Sequence, residues 1–283
     1  MMLTTPAIAP GHTWLPEWHA AEAADGHFAG IHYYMDRLGC LKRAYGAVGD
    51  ADGSEDADFG TAVHAALYAY HTGAASLPPL SDERPERSCS EAEVMSRYAA
   101  RFPKGWLGTV LSGETRYRST VAIGGITHPI AGTIDLVTEM DVAAVCAFTR
   151  TVGSDITLEP GIWLHDYKTK KNKSALTVPQ LMYGEQAPLY ECLFKDTHPE
   201  MAERVRGTIF HLLYRYIGDK PGNEQFLSIA VPSGYAGDGM ERVASIIADA
   251  TSRVARLGTA HVTPTDCYDW MRVCPLFDVC ERK

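Results

Sequence analysis

Trp163-Leu164-His165-Asp166-Tyr167-Lys168-Thr169 is the stretch that decides the fold. Its texture predicts a strand over 162–168, and on a strand residues two apart share a face. Asp166 and Lys168 therefore point the same way, and Leu164 extends their row. An acid and an ammonium side by side at a strand end can bind a metal and activate or orient a water. Upstream, Gly132-Thr133-Ile134-Asp135-Leu136-Val137 sets a lone carboxylate in an otherwise apolar strand. The plain alternative is that Asp135 caps a turn and that Asp166 and Lys168 form a surface ion pair. A carboxylate among Ile, Leu and Val needs a partner to offset its desolvation, so a bound cation is the more economical account.

Outward from these strands, β-branched runs over 114–123, 126–138 and 142–149 read as a three-stranded meander. Gly124-Gly125 and Glu139-Met140-Asp141 separate them. Downstream, a helix is expected over 180–194, with Gln186 and Tyr190 on one face. Pro188 between them means that this helix starts near Glu185 or kinks. Strands are expected over 205–216 and 225–231, then an amphipathic helix over 239–257 carrying Val243, Ile246, Ile247, Ala250 and Val254.

Upstream of the meander, 60–71 is Ala-rich and helix-prone, ending at Gly73, and it carries His64 and His71. A lone histidine on such a helix is more often a satisfied core residue than a ligand. The acidic run 49–58 lacks the glycine and glutamate positions of a calcium loop and reads as a solvated linker. The first thirty residues read as an irregular arm. The order of elements predicts an α/β fold, one mixed sheet flanked by helices.

The chain has 283 residues, 46% of them apolar and 22% charged, which is ample for a packed core and excludes disordered and coiled-coil classes. No apolar run approaches the roughly 20 residues that span a membrane, and no secretory leader is expected. The formal net charge of −9 argues against non-specific coating of nucleic acid, while a local basic groove remains compatible with it. Lys168 to Lys173 is the densest basic run. Phosphate-loop, dinucleotide, His-Glu-x-x-His and Gly-x-Ser-x-Gly signatures are missing.

Seven cysteines are too few for a disulfide scaffold and suggest reduced thiols in a cytoplasm-like compartment. Cys267, Cys274 and Cys280 crowd the last seventeen residues and could reach one metal centre, with Cys40, beside Lys42 and Arg43, as the best fourth thiolate. Zinc and an iron–sulfur cluster both accept four thiolates, and the spacing chooses neither. Three unrelated thiols are the alternative. Cys146 and Cys192 read as small buried hydrophobes, and Cys89 as a loop thiol.

In sequence, these pieces resemble the PD-(D/E)xK nuclease superfamily, in particular its RecB-like branch with an iron–sulfur cluster: CRISPR-associated RecB-like exonucleases, the AddB nuclease domain and phage relatives. Cys40-Leu41-Lys42-Arg43-Ala44-Tyr45 resembles the first cluster cysteine with its basic-aromatic tail. Gly60-Thr61-Ala62-Val63-His64 is similar to the histidine motif, Gly132-Thr133-Ile134-Asp135 to the second motif and Asp166-Tyr167-Lys168-Thr169 to the (D/E)xK motif. Gln186-Ala187-Pro188-Leu189-Tyr190 matches Gln-x-x-x-Tyr, and the last three cysteines resemble the remaining cluster ligands. The gap from Cys267 to Cys274 is longer than in the CRISPR-associated members and closer to phage relatives.

The resemblance implies a single nuclease domain over 1–283 with a restriction-endonuclease-like core. Its catalytic part would lie at 60–200, and Cys40 with 258–283 would form a [4Fe-4S] staple, with zinc as the second choice of occupant. His64, Asp135, Asp166 and the Tyr167 carbonyl would hold Mg²⁺ or Mn²⁺, and Lys168 would act on the water or the phosphate; Glu114 is a further candidate. The implied activity is that of an exonuclease on single-stranded DNA ends in recombination, repair or phage DNA processing. Gln186, Tyr190, Lys42, Arg43, Lys170 and Lys171 would contact the DNA. Recombination or phage proteins are candidate partners, and the cytoplasm of a bacterial or phage-infected cell is the expected location. A CRISPR-adaptation nuclease, an inactive DNA-binding or assembly module of the same fold, and a zinc-stabilised hydrolase are the alternatives.

Overall fold

The protein is described here by a computed structural model, which covers residues 55–84, 88–123, 126–152, 158–170, 177–182, 184–215, 226–235, 241, 243–249, 268, 269, 272 and 273. The chain divides into two compact units. One comprises Gly53–Tyr117 and Thr133–Met240, and the other Met1–Asp52, Arg118–Gly132 and Glu241–Lys283. In chain order the elements are α1 (Glu55–Thr72), α2 (Glu91–Arg101), β1 (Thr109–Ile123), β2 (Ile126–Met140), α3 (Val142–Val152), β3 (Gly161–Lys170), α4 (Thr177–Met182), α5 (Gln186–Thr197), β4 (Val205–Tyr214), β5 (Phe226–Pro232), β6 (Tyr268–Asp269) and β7 (Arg272–Val273). A 3₁₀ turn, Pro199–Arg204, joins α5 to β4. No helix among the described residues is long and apolar enough to cross a membrane.

Strands β1 to β5 form one sheet in sequence order, and β6 pairs with β7. The large sheet is mixed, as the sequence predicts: β3 runs antiparallel to β2 and parallel to β4, and β4 runs antiparallel to β5. Its central strands are apolar on both faces because helices cover both. One face contributes Leu136, Trp163, Tyr167, Ile209 and Leu213 to a core with Val63 and Leu67 of α1, Tyr98 of α2 and Phe148 of α3. The opposite face packs Phe210, Leu212 and Ile229 around Ala187 of α5, with Val178 and Leu181 of α4 against them.

The expected third strand at 142–149 is instead helix α3. Asp141 Oδ1 accepts the Ala144 N–H at 2.8 Å, which caps the first turn, and Ala144 and Phe148, one turn apart, are the buried pair. The β-branched residues suggested a strand, but the cap and the i,i+4 pair decide for a helix. Cys146 thereby faces outward and is exposed rather than a buried hydrophobe, while Cys89 is in a loop, as expected, and buried there; Cys192 is intermediate. The acidic run 49–58 is not all linker, since α1 begins at Glu55. The helix expected over 180–194 is two, α4 and α5. Pro188 lies in the first turn of α5, where its missing N–H leaves no intrahelical bond unmade, so the helix starts at Gln186. Of the helix expected over 239–257, residues 243–249 are described and are helical. Cys40, Lys42, Arg43, Lys171, Cys267, Cys274 and Cys280 lie outside the described residues.

Behind β3 runs a polar chain that the sequence did not announce. Thr138 Oγ1 lies 2.8 Å from His165 Nε2, His165 Nδ1 lies 3.0 Å from His211 Nε2, and His211 Nδ1 lies 2.9 Å from Ser228 Oγ. Four strands are thus stitched side chain to side chain, with Thr138, His165 and His211 buried and Ser228 half-buried. Burial holds the His211 imidazolium down to about 3 and His165 well below its usual range, so both rings are neutral. His71, hydrogen-bonded to Tyr98 at 2.9 Å, is likewise depressed by burial to about 4. A histidine held below its unfolded value stabilises the fold above pH about 6.5 and loses that contribution as pH falls toward the folded value. Each is worth up to about 1.4 kcal/mol per pH unit in that window. The urea midpoint is therefore expected to fall between pH 7 and pH 5.5; a midpoint that stays level would show that these rings are not buried neutral.

Candidate metal centre

Sheet pairing between β2 and β3 is recorded up to Leu136 opposite His165, one step short of Asp135 and Asp166. There the Asp135 side chain takes over: its Oδ2 accepts the Tyr167 backbone N–H at 2.7 Å. The two acids thus meet at one strand edge. His64 reaches the same oxygen from α1, its Nδ1 3.5 Å from Asp135 Oδ2. The glycine one turn earlier makes that approach possible, because a Cβ on Gly60 would sit 3.1 Å from Thr169 Oγ1 of β3. Of the two histidines on this helix, His71 is the satisfied core residue and His64 faces the acids.

Glu114 joins them from β1. Exposure along this strand falls on Thr109 and Leu111 and then changes phase to Glu114 and Arg116, and Glu114 adopts a φ of +46°. A left-handed residue at a change of phase is a local backbone irregularity that re-aims a side chain. Ligand atoms of His64, Glu114 and Asp135 all lie within 4.8 Å of one another. Burial, and then Asp135, raise the Glu114 carboxyl above its ordinary range. For His64, burial alone would lower the pKa, but the hydrogen bond and charge of Asp135, with Asp166 and Glu114 behind, outweigh it and raise the net value. Three carboxylates with one imidazole make a concentration of negative charge that calls for a cation.

Asp166 is held from both sides. Its Oδ1 accepts from Gln186 Nε2 at 3.0 Å and from the Tyr190 hydroxyl at 2.8 Å, and Gln186 Nε2 also donates to that hydroxyl at 2.6 Å. Its Oδ2 forms a partly buried ion pair with Lys168 Nζ, 2.8 Å away. Burial raises the Asp166 carboxyl, Lys168 pulls it back, Asp135 adds to the rise, and the net value is raised. An oxygen-rich donor set gathered around His64, Glu114 and Asp135, with a raised carboxylate beside it, fits a hard divalent cation such as Mg²⁺ or Mn²⁺.

Of the expected site residues, His64, Asp135, Asp166, Tyr167 and Lys168 lie together, and Gln186 and Tyr190 stand beside Asp166. Gln186 Nε2 and the Tyr190 hydroxyl both donate to Asp166, and Tyr190 is buried, so the pair holds a carboxylate in place. Lys170 ends β3, and its carbonyl accepts the Arg215 N–H at 2.9 Å. The geometric weight of Glu114 exceeded its sequence signal. The usable clue was an acid directly after a glycine within a β-branched run.

Residues 29–281 match the family described as the PD-(D/E)XK nuclease superfamily. The fold is similar to a crystal structure described as a "Putative exonuclease" from Eubacterium rectale: 13% identity, 95% of this chain and 93% of that one covered, TM-score 0.48. It is also similar to the crystal structure of a protein called SSO0001, with 13% identity, 77% and 74% of the two chains covered and a TM-score of 0.37. No curated protein matches the chain in sequence.

Asp135→Asn keeps the shape and removes the charge that His64 and Glu114 face. It is expected to weaken Mn²⁺ binding, read by titration calorimetry, by at least about tenfold. Unchanged affinity would place the ion elsewhere.

Proposed function

The chain belongs to the PD-(D/E)XK nuclease superfamily, and from that premise we propose that it is a Mg²⁺- or Mn²⁺-dependent deoxyribonuclease, an exonuclease acting on single-stranded DNA ends in recombination, repair or phage DNA processing. One observation carries this reading: Asp135, Asp166 and Lys168 converge at one strand edge, with His64 and Glu114 turned toward the same carboxylate.

In this reading His64, Glu114, Asp135 and Asp166 hold the ion, and the Tyr167 carbonyl is a further candidate ligand. A divalent ion bound there supplies polarisation of the scissile phosphate and a hydroxide at neutral pH. The chain's own part is positional. Gln186 and Tyr190 fix Asp166 through Oδ1 and leave Oδ2 turned toward Lys168. The Lys168 ammonium, held on the face of Asp166 by the pleat, orients the attacking water or meets charge developing on the phosphate. Lys42, Arg43, Lys170 and Lys171 are proposed contacts to the DNA backbone, and in a chain of net charge −9 they make binding strongly salt-sensitive.

From the cysteine pattern and its resemblance to the iron–sulfur branch we further propose a [4Fe-4S] cluster on Cys40, Cys267, Cys274 and Cys280, with zinc as the alternative occupant. More than two hundred residues separate Cys40 from Cys267, so a shared metal centre closes a long loop and contributes directly to folding free energy. Cys274→Ser is expected to yield insoluble protein before any catalytic defect can be measured; a soluble, stable and colourless variant contradicts the staple.

The test of the central reading is degradation of end-labelled single-stranded DNA with Mg²⁺ or Mn²⁺, inhibited by EDTA. Lys168→Met is expected to lower the rate by at least about 10²-fold while the protein still folds, read by far-UV circular dichroism. DNA binding without cleavage by the wild-type protein would instead mark an inactive DNA-binding module of this fold.

A further inference from the structure

Helix α1 buries Val63, Ala66, Leu67 and Tyr70 but leaves Tyr68, one turn past His64, 38% exposed. Its ring has a fixed seat. A Cβ on Gly113 would lie 2.6 Å from Tyr68 Cε2 and 2.7 Å from Cδ2, so the ring edge rests on bare backbone. Gly113 is not among the positive-φ glycines, and its missing side chain therefore serves the close approach of the ring rather than the path of the chain. The residue after this seat is Glu114, and the same Cβ would be 3.1 Å from the Asp135 carbonyl oxygen. The ring thus borders the metal centre. On β1, Leu111 lies two residues before Gly113 and on the same side of the strand, and it is 39% exposed.

We propose that Tyr68 is a stacking platform for an unpaired nucleobase at the edge of the metal centre, flanked by Leu111, and that it gives the site a preference for single-stranded DNA. This inference rests on the nuclease reading and names the substrate contact within it. A rigid, half-wet aromatic ring beside phosphate-handling groups offers what a single-stranded chain presents, a flat π-face next to a charged backbone. Bases within a duplex have both faces covered by their neighbours and cannot use the ring without unstacking. Because backbone fixes the ring before binding, little rotamer freedom is lost on contact.

The experiment is fluorescence anisotropy with the full-length protein and a short labelled oligonucleotide, with Ca²⁺ in place of Mg²⁺ to hold the complex uncleaved. The oligonucleotide is used intact, with abasic sites at its terminal positions, and as a blunt duplex. Tyr68→Ala is expected to weaken binding of the intact single strand about tenfold, within the usual worth of one base–aromatic stack, and to leave duplex binding within about twofold. Tyr68→Phe keeps the ring and restores the affinity. An abasic site at the stacked position is expected to weaken the wild-type protein by the same factor and the Tyr68→Ala variant hardly at all, a coupling that general destabilisation does not produce. Under Mg²⁺, the same loss should appear in KM while kcat holds. Equal single-strand affinity of wild type and Tyr68→Ala, or equal losses on single strand and duplex, overturns the platform and leaves the nuclease reading standing. Wild-type protein that binds the single strand but never cleaves it overturns the nuclease reading while the Tyr68 comparison still reads out. Wild-type protein that binds no DNA overturns both.

Discussion

The hydrogen bond from the Tyr167 N–H to Asp135 Oδ2, 2.7 Å long, is the contact on which the rest of the site depends. It lies where the recorded β2–β3 pairing stops, and a side chain does there what a backbone carbonyl does elsewhere in the sheet. Because the donor is the residue after Asp166, the bond sets the spacing of the two acids. Three further groups refer to the pair it fixes: His64 and Glu114 gather at Asp135, and Lys168 at Asp166. A charge so buried is tolerable only because hydrogen bonds and cations meet it from several sides.

Support for this edge comes from opposite faces of the sheet. On one, α5 delivers Gln186 and Tyr190 to Asp166. On the other, the Thr138–His165–His211–Ser228 chain ties β2, β3, β4 and β5 together, and the Tyr167 ring stacks on His211 at 4.9 Å. The alternation of a strand makes this division possible: Asp166 and Lys168 turn to one side while His165 and Tyr167 turn to the other. Chemistry and scaffold therefore occupy successive residues of a single strand.

How far the site was legible depended on the range of the interactions involved. Asp135, Asp166 and Lys168 stood out because each breaks an apolar strand pattern at a countable position. His64 could not be told from His71 by helical periodicity, since both lie on α1; only the packing of Tyr98 against one and of Asp135 against the other separates them. Gln186 and Tyr190 were legible as a pair but not as partners of Asp166, because a sequence gives the spacing along a helix but not the strand beneath it. The failure at 142–149 was local: an Asp cap one residue upstream outweighed β-branched propensity.

By itself the sequence determined the α/β class, the mixed sheet and the identity of the acids and the amine, since strand alternation and helix spacing are short-range properties written residue by residue. The tertiary structure decided which groups meet. The left-handed backbone that turns Glu114 into the cluster, the bare backbone of Gly113 under the Tyr68 ring and the histidine chain across four strands all join residues far apart in sequence. Such contacts arise from the packing of whole elements, and no local pattern in the chain encodes them.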